Sequence, residues 1–276
     1  LDNEYARFYI HVDAKSPATV FQHLTKHLTD HDNVAFLPRS SCYWGGYGIV
    51  SVIVRALRTA LREQPTATSF IYLSGQDYPI KSNNTIVEFL SANLSTSFIE
   101  HEELPDFSSF PSGGGLHLVE DWHFFRDRHL SVHIPGYRRR LPLNMQPWKG
   151  SAHWILSLDS VSFLLRTLDA NPQIERFFRY TCIPDELMFQ TMLLSSAYGG
   201  RLVNDDMWYI DWPEATDSAH PSTLTAIDFP ALSASSSLFA RKFDVNVDTR
   251  ILDLLDQHTG VEASNGGVVA CSASHS

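Results

Sequence analysis

Apolar and polar positions follow two distinct rhythms between Phe8 and Glu100. Short unbroken apolar runs have the composition of buried strands. Longer runs repeat their apolar residues at the spacing of one helix face. Phe8 to Asp13 reads as a short strand ending in an acid. Ser16 opens a helix that runs to about Leu28, with Val20, Phe21, Leu24 and Leu28 on one side. Val34 to Leu37 is the next strand. After a break at Trp44-Gly45-Gly46, a helix ending near Arg62 places Ile49, Val52, Ile53, Ala56 and Leu57 on one face. Phe70 to Leu73 is a central strand, Ile86 to Leu94 a short helix, and Thr96 to Glu100 another strand. Strands alternating with helices predict an α/β fold with a largely parallel sheet.

The stretch from Ser69 to Asn84 organises the rest. Its strand breaks at Ser74-Gly75 and presents Gln76, Asp77 and Lys81 around Pro79. Ligands bind outside the carboxyl ends of strands in open α/β sheets, so this loop is a place to look for a site. On this stretch alone an ordinary strand-to-helix turn, with Ser82 or Asn83 as the cap, is the better explanation.

The rhythm is lost between His101 and Gly150, which is rich in His, Arg, Gly, Pro and Phe. Long loops and short strands over a cleft are expected there, with Gly113-Gly114-Gly115 as a mobile point and Arg138-Arg139-Arg140 in a solvated loop. His117, His123, His129 and His133 match no standard metal spacing and read as surface residues. Regular structure returns as a strand at Trp154-Ile155-Leu156 and helices over 160–168 and 185–195. A strand at 201–203, an aromatic loop from Trp208 to Trp212, an apolar segment from Leu238 to Asp244 and a helix over 249–258 complete the order.

Composition narrows the function. The chain has 276 residues, 43% of them hydrophobic, and can bury a large core. A net charge of -10 argues against nucleic acid as a partner. Cys42, Cys182 and Cys271 are far apart and lack metal or disulfide spacing. No apolar run reaches the length of a membrane span. Asn83-Asn84-Thr85 and Asn93-Leu94-Ser95 match the glycosylation pattern.

Three groups carry candidate chemistry. Pro184-Asp185-Glu186 stands at a helix start, where the dipole favours acids; one acid aimed into a cleft would suit a general base. Arg241-Lys242 interrupts an apolar segment, and such cations need an anion; a diphosphate is a natural partner. Trp212 either stacks on a sugar face or packs in the core. There is no Walker loop, GxGxxG or GxSxG motif, and neither Asp205-Asp206 nor Gln76-Asp77 has the Asp-x-Asp form that holds a divalent ion on a sugar nucleotide.

Six segments together carry a resemblance. They are Tyr9-Ile10-His11-Val12-Asp13-Ala14-Lys15-Ser16, Trp44-Gly45-Gly46, Leu73 to Lys81, Gly150-Ser151-Ala152, Pro184-Asp185-Glu186 and Leu238 to Asp244. In this order they resemble the core-2/I-branching β-1,6-N-acetylglucosaminyltransferase and peptide O-xylosyltransferase family, glycosyltransferase family 14. The resemblance implies a GT-A-type, Rossmann-like mixed sheet flanked by helices, lacking the usual first strand. It implies one domain over 1–260: a nucleotide-sugar half (1–100), a loop-rich insertion (101–150) and an acceptor and catalytic half (151–260), followed by a disordered tail (261–276).

The implied activity is an inverting, metal-independent hexosyl- or pentosyltransferase with a UDP-sugar donor and no cofactor. N-acetylglucosamine is placed first as the sugar, then xylose, then glucuronic acid. The alternative is a nucleotide- or carbohydrate-binding remnant without turnover. Glu186 is the implied base. Asp13, Lys15, Arg241 and Lys242 are expected on the donor, and Trp212 and Asp77 on a glycan or glycoprotein-like acceptor. A cytoplasmic or peripherally membrane-associated enzyme is expected if the source is bacterial, and a Golgi membrane if it is eukaryotic. The sequence departs from the family at Ala152, where xylosyltransferases carry the acid that serves as base, and near His220, where the family carries another basic residue.

Overall fold

A computed structural model describes residues 5–125, 131–136, 138–213 and 220–260. The expected tail after 260 lies outside the described residues, as do Cys271 and His129. The first half holds β1 (Phe8–Ile10), α1 (Ala18–Leu28), β2 (Val34–Phe36), α2 (Gly48–Glu63), β3 (Ser69–Ile71), β4 (Asp77–Pro79), α3 (Asn83–Ala92) and β5 (Ser97–Ile99). The middle holds β6 (Glu102–Glu103), α4 (His117–Glu120), β7 (Trp122–Phe125), β8 (Ser131–Ile134) and β9 (Trp148–Lys149). Then come β10 (Trp154–Ser157), α5 (Leu158–Ala170), α6 (Gln173–Phe178), α7 (Met188–Leu194), β11 (Leu202–Val203), β12 (Trp208–Ile210), α8 (Phe229–Ala234), β13 (Phe239–Arg241) and α9 (Arg250–Thr259).

The class is the expected mixed α/β, but the main sheet is not largely parallel. Its strand order is β11-β5-β10-β3, and β10 runs antiparallel to both β5 and β3. Every residue of β10 is buried, so its unbroken apolar run reads alike in either direction. A second sheet has the order β12-β13-β4, with β13 parallel to β12 and antiparallel to β4. β1 and β2 form a parallel pair.

Two segments read as loops are therefore strands. Asp77-Tyr78-Pro79 was expected after a strand end, and Trp208-Tyr209-Ile210 in an aromatic loop. Both flank β13, where their backbone groups find ladder partners that no local pattern announces. The helices α6 and α8 went unanticipated because each is only six residues long. Pro184–Glu186 is a short 3-10 turn ahead of α7 rather than the first turn of one continuous helix.

The largest core cluster packs α2, α5, α6 and α7 on the main sheet through Val50, Leu57, Trp154, Leu164, Phe178 and Phe189. Each such side chain contributes about 1.5–3 kcal/mol on burial. Ser82 caps α3, accepting the Thr85 amide at 3.2 Å, and Ser157 caps α5, accepting the Ser160 amide at 3.3 Å.

The insertion is more packed than its composition predicts. Gly114 and Gly115 are buried, and a Cβ on Gly114 would stand 2.3 Å from Pro105 Cβ, so the glycine run is a close-packed turn. Arg139 is buried too. It donates to the carbonyls of Val119, Asp121 and Phe177 and to Thr181 Oγ1, and its guanidinium lies over the rings of Phe177 and Trp122. His123 is buried rather than on the surface. It stacks on His133 at 4.6 Å, and His133 Nε2 meets Asp121 Oδ2 at 2.8 Å.

Candidate active site

Two of the residues expected on the donor, Asp13 and Lys15, meet just past the end of β1. Asp13 Oδ1 accepts the Lys15 amide at 2.8 Å, and Oδ2 accepts the Cys42 amide at 3.2 Å and the Lys15 ammonium. Burial pushes the Asp13 carboxyl up, but the Lys15 and Cys42 donors outweigh it and hold it below the usual range. The Lys15 ammonium also lies 4.7 Å from the centre of the Tyr43 ring. Asp13 and Lys15 therefore form one unit, with the Ser41–Trp44 segment as its far wall.

Tyr43 leads into Trp44-Gly45-Gly46, which joins this unit to the acids. Gly45 O accepts the Ile183 amide at 2.9 Å, directly before Pro184-Asp185-Glu186. Gly45 has φ +72, which favours glycine, and a Cβ on Gly45 or Gly46 would stand 3.2 or 3.3 Å from Phe125, so a larger residue would need Phe125 to give way. Trp44 itself is left more than half exposed, edge-on to His220 at 6.2 Å.

The two acids of the turn have different surroundings. Glu186 is half-buried, and its Oε2 lies 3.3 Å from Lys149 Nζ. Asp185 Oδ1 is enclosed without a hydrogen-bond partner. Burial, and then the charge of Glu186, pushes the Asp185 carboxyl up to about 7. The Glu186 backbone is fixed as well, since its carbonyl accepts the Gly150 amide at 2.9 Å. Gly150 in turn abuts Glu100: a Cβ there would stand 1.8 Å from Glu100 O. Only glycine lets these strand ends meet.

Glu100 opens a pocket of about 370 Å³ lined by Glu100, His101, Glu102, Asn204, Asp205 and Asp206. Asp206 is 5% exposed; its Oδ1 accepts the Trp208 amide at 2.8 Å, and its Oδ2 is unpartnered. Burial raises Glu100, aided by the charge of Asp206 and opposed by Lys149. Burial likewise raises Asp206.

The second sheet delivers the cations. Arg241 ends β13, with its Nε 3.3 Å from Asp77 Oδ1. Among the described residues no carboxylate lies within ion-pair range of Lys242, whose backbone carbonyl accepts the Leu224 amide. Asp77 departs from its expected place on the acceptor: its side chain has no exposed surface. The carboxylate is taken up by Ser74 N at 2.6 Å, Ser74 Oγ at 2.9 Å, Arg241 and His153 Nε2 at 3.1 Å. The His153 ring nitrogen and the Arg241 guanidinium nitrogen both approach off the line of an ideal hydrogen bond. Burial pushes Asp77 up, yet His153, Ser74 and Arg241 together hold it below the usual range.

Tyr72 marks the junction. Its ring stacks on His153 at 5.8 Å, and burial raises its phenol, followed by the charges of Asp185 and Asp77, with Arg241 opposing. The Tyr72 phenol therefore feels the charges of both Asp185 and Arg241. Trp212 stands apart, more than half exposed beyond β12. Among the described residues no group of His, Cys, Asp and Glu is placed to hold a metal ion.

The family model for the Core-2/I-Branching enzyme matches residues 2–233. The chain belongs to the Core-2/I-Branching enzyme family. Within that family it is 29% identical over 269 residues to xylosyltransferase 2 of Rattus norvegicus and 28% identical over 268 residues to xylosyltransferase 2 of Homo sapiens. It is 26% identical over 270 residues to xylosyltransferase 1 of Canis lupus familiaris. Each match covers 91% of this chain. The chain spans 30% of the length of either xylosyltransferase 2 and 27% of that xylosyltransferase 1. The mixed sheets flanked by helices agree with the GT-A-like architecture that the resemblance implied.

Several residues of this candidate site were not singled out from sequence. His153 and Lys149 flank the Gly150-Ser151-Ala152 segment, and Glu100 ends a strand at its carboxyl side, where a site is expected. Those positions were the available signals. Asp206 carried none, because an Asp-Asp pair in a turn is ordinary turn chemistry.

Proposed function

We propose that this chain carries the catalytic machinery of an inverting glycosyltransferase that uses a UDP-sugar and a hydroxyl acceptor without a metal ion. The observation that carries the reading is the short segment 149–153, which meets Glu186 at Lys149 and Gly150 and, through His153, meets the Asp77 carboxylate that Arg241 also approaches. Asp13 and Lys15 hold the nucleoside end. Glu186 takes the proton of the acceptor hydroxyl as its oxygen attacks the anomeric carbon. The bond to the diphosphate breaks on the opposite face, and UDP leaves with the electron pair. Arg241 and Lys242 neutralise the charge that develops there, the task a divalent ion performs elsewhere.

The pocket beside Glu100 supports an acceptor side. Its carboxylates repel a diphosphate and accept from hydroxyl groups. Trp212 and Trp44 offer exposed rings for a sugar face. The relatives named xylosyltransferase favour UDP-xylose as donor, ahead of UDP-N-acetylglucosamine. A second reading, a UDP-binding module without turnover, draws on Ala152 standing where xylosyltransferases carry an acid. A panel of UDP-sugars against mixed hydroxyl acceptors separates the two. Transfer from one donor supports the enzyme and names the sugar; saturable UDP binding without transfer supports the module.

A further inference from the structure

Asp77 and Arg241 are directly opposed in the antiparallel β4–β13 ladder, so their side chains leave the sheet on the same face. The side chain of Asp77 is 0% exposed and that of His153 3%, whereas that of Arg241 is 22% exposed. One end of this chain of contacts is therefore sealed in the fold and the other reaches solvent. We propose that Asp77 and His153 are positioning residues that set the Arg241 guanidinium for the donor diphosphate. This rests on the reading of Arg241 given above.

The geometry separates this arrangement from a plain structural ion pair. A guanidinium that pairs with a carboxylate frequently engages it with two terminal nitrogens. Arg241 meets Asp77 through Nε, leaving its terminal nitrogens for another anion. The carboxylate cannot turn to follow. Ser74 holds Oδ2 through its amide and Oδ1 through its hydroxyl. His153 stands against Oδ2 and is itself clamped, with Tyr72 at 5.8 Å on one contact and Trp208 at 5.2 Å on the other. The backbone is held at the same place, since the Phe243 amide donates to Gln76 O at 2.9 Å. A cation fixed before the donor arrives costs no reorganisation when the leaving group departs. Lys242, with no such anchor, contributes charge alone.

The test is the affinity of UDP and of uridine, measured by calorimetry on the full chain. The proteins are wild type, Asp77→Asn, His153→Asn, Arg241→Gln and the Asp77→Asn, Arg241→Gln double variant. Asp77→Asn should weaken UDP by about tenfold or more, the cost of a misplaced group, and leave uridine unchanged. His153→Asn should act in the same sense, and it carries the test alone if Asp77→Asn does not fold. In the Arg241→Gln background Asp77→Asn should add nothing. An unchanged ratio of UDP to uridine affinity in Asp77→Asn and His153→Asn, with only a lower melting temperature, would overturn the proposal. So would additive effects of Asp77→Asn and Arg241→Gln. If Arg241→Gln itself leaves the ratio unchanged, the diphosphate reading of Arg241 fails instead.

Discussion

Glu186 Oε2 lies 3.3 Å from Lys149 Nζ, and the Glu186 carbonyl accepts the amide of the next residue, Gly150. Side chain and backbone of the acid are thus tied to the same strand end. Such a group is held ready rather than searching for its position.

Glu186→Gln keeps the shape of the turn and removes the proton acceptor. Turnover should fall by about 10²–10⁴-fold, while UDP affinity stays near that of wild type. Steady-state transfer and UDP titration check this. Near-full turnover would remove Glu186 as the base.

Much of the fold was legible because strand and helix periods differ. α2 shows where that stops. The expected face held Ile49, Val52, Ile53, Ala56 and Leu57, but the buried residues are Val50, Ile53, Val54, Leu57 and Ala60. With apolar residues on nearly every side of its first two turns, the periodicity admits either stripe, and packing against α5 selects one. Among the candidate site residues, Asp77 was visible as a motif position, yet its partner Arg241 comes from a strand far along the chain. Cross-strand pairing of that kind leaves no local trace. Arg139 was misread for the same reason: four acceptors from separate segments make a buried site out of a basic run.

Asp185 makes stability depend on pH. Its ordinary value of 3.8 is pushed up to about 7, by burial and then by Glu186. Between about pH 4 and pH 7 the native chain keeps a proton there that the unfolded chain has released. Its contribution to stability therefore falls as pH rises through that window. Asp185→Asn cannot ionise. At pH 8 it should melt at least about 3 °C above wild type, and the gap should close towards pH 4. Parallel melting curves would contradict this.

Arg139→Leu keeps an apolar stem against Phe177 but strands the carbonyls of Val119, Asp121 and Phe177. Unfolding in urea should show a loss of about 3 kcal/mol or more. UDP affinity at low temperature should be unaffected, because the residue supports the insertion rather than the donor site.

Trp212→Ala removes an exposed ring from the proposed acceptor side. The acceptor KM should rise by about tenfold, with little change in the KM for the UDP-sugar. The reverse pattern would move Trp212 to the donor.

The most direct test of the account is the initial rate of transfer from the preferred UDP-sugar in excess chelator, compared with the rate in added manganese. The account predicts equal rates, since Arg241 and Lys242 supply the charge. Loss of activity in chelator, restored by manganese, would contradict it.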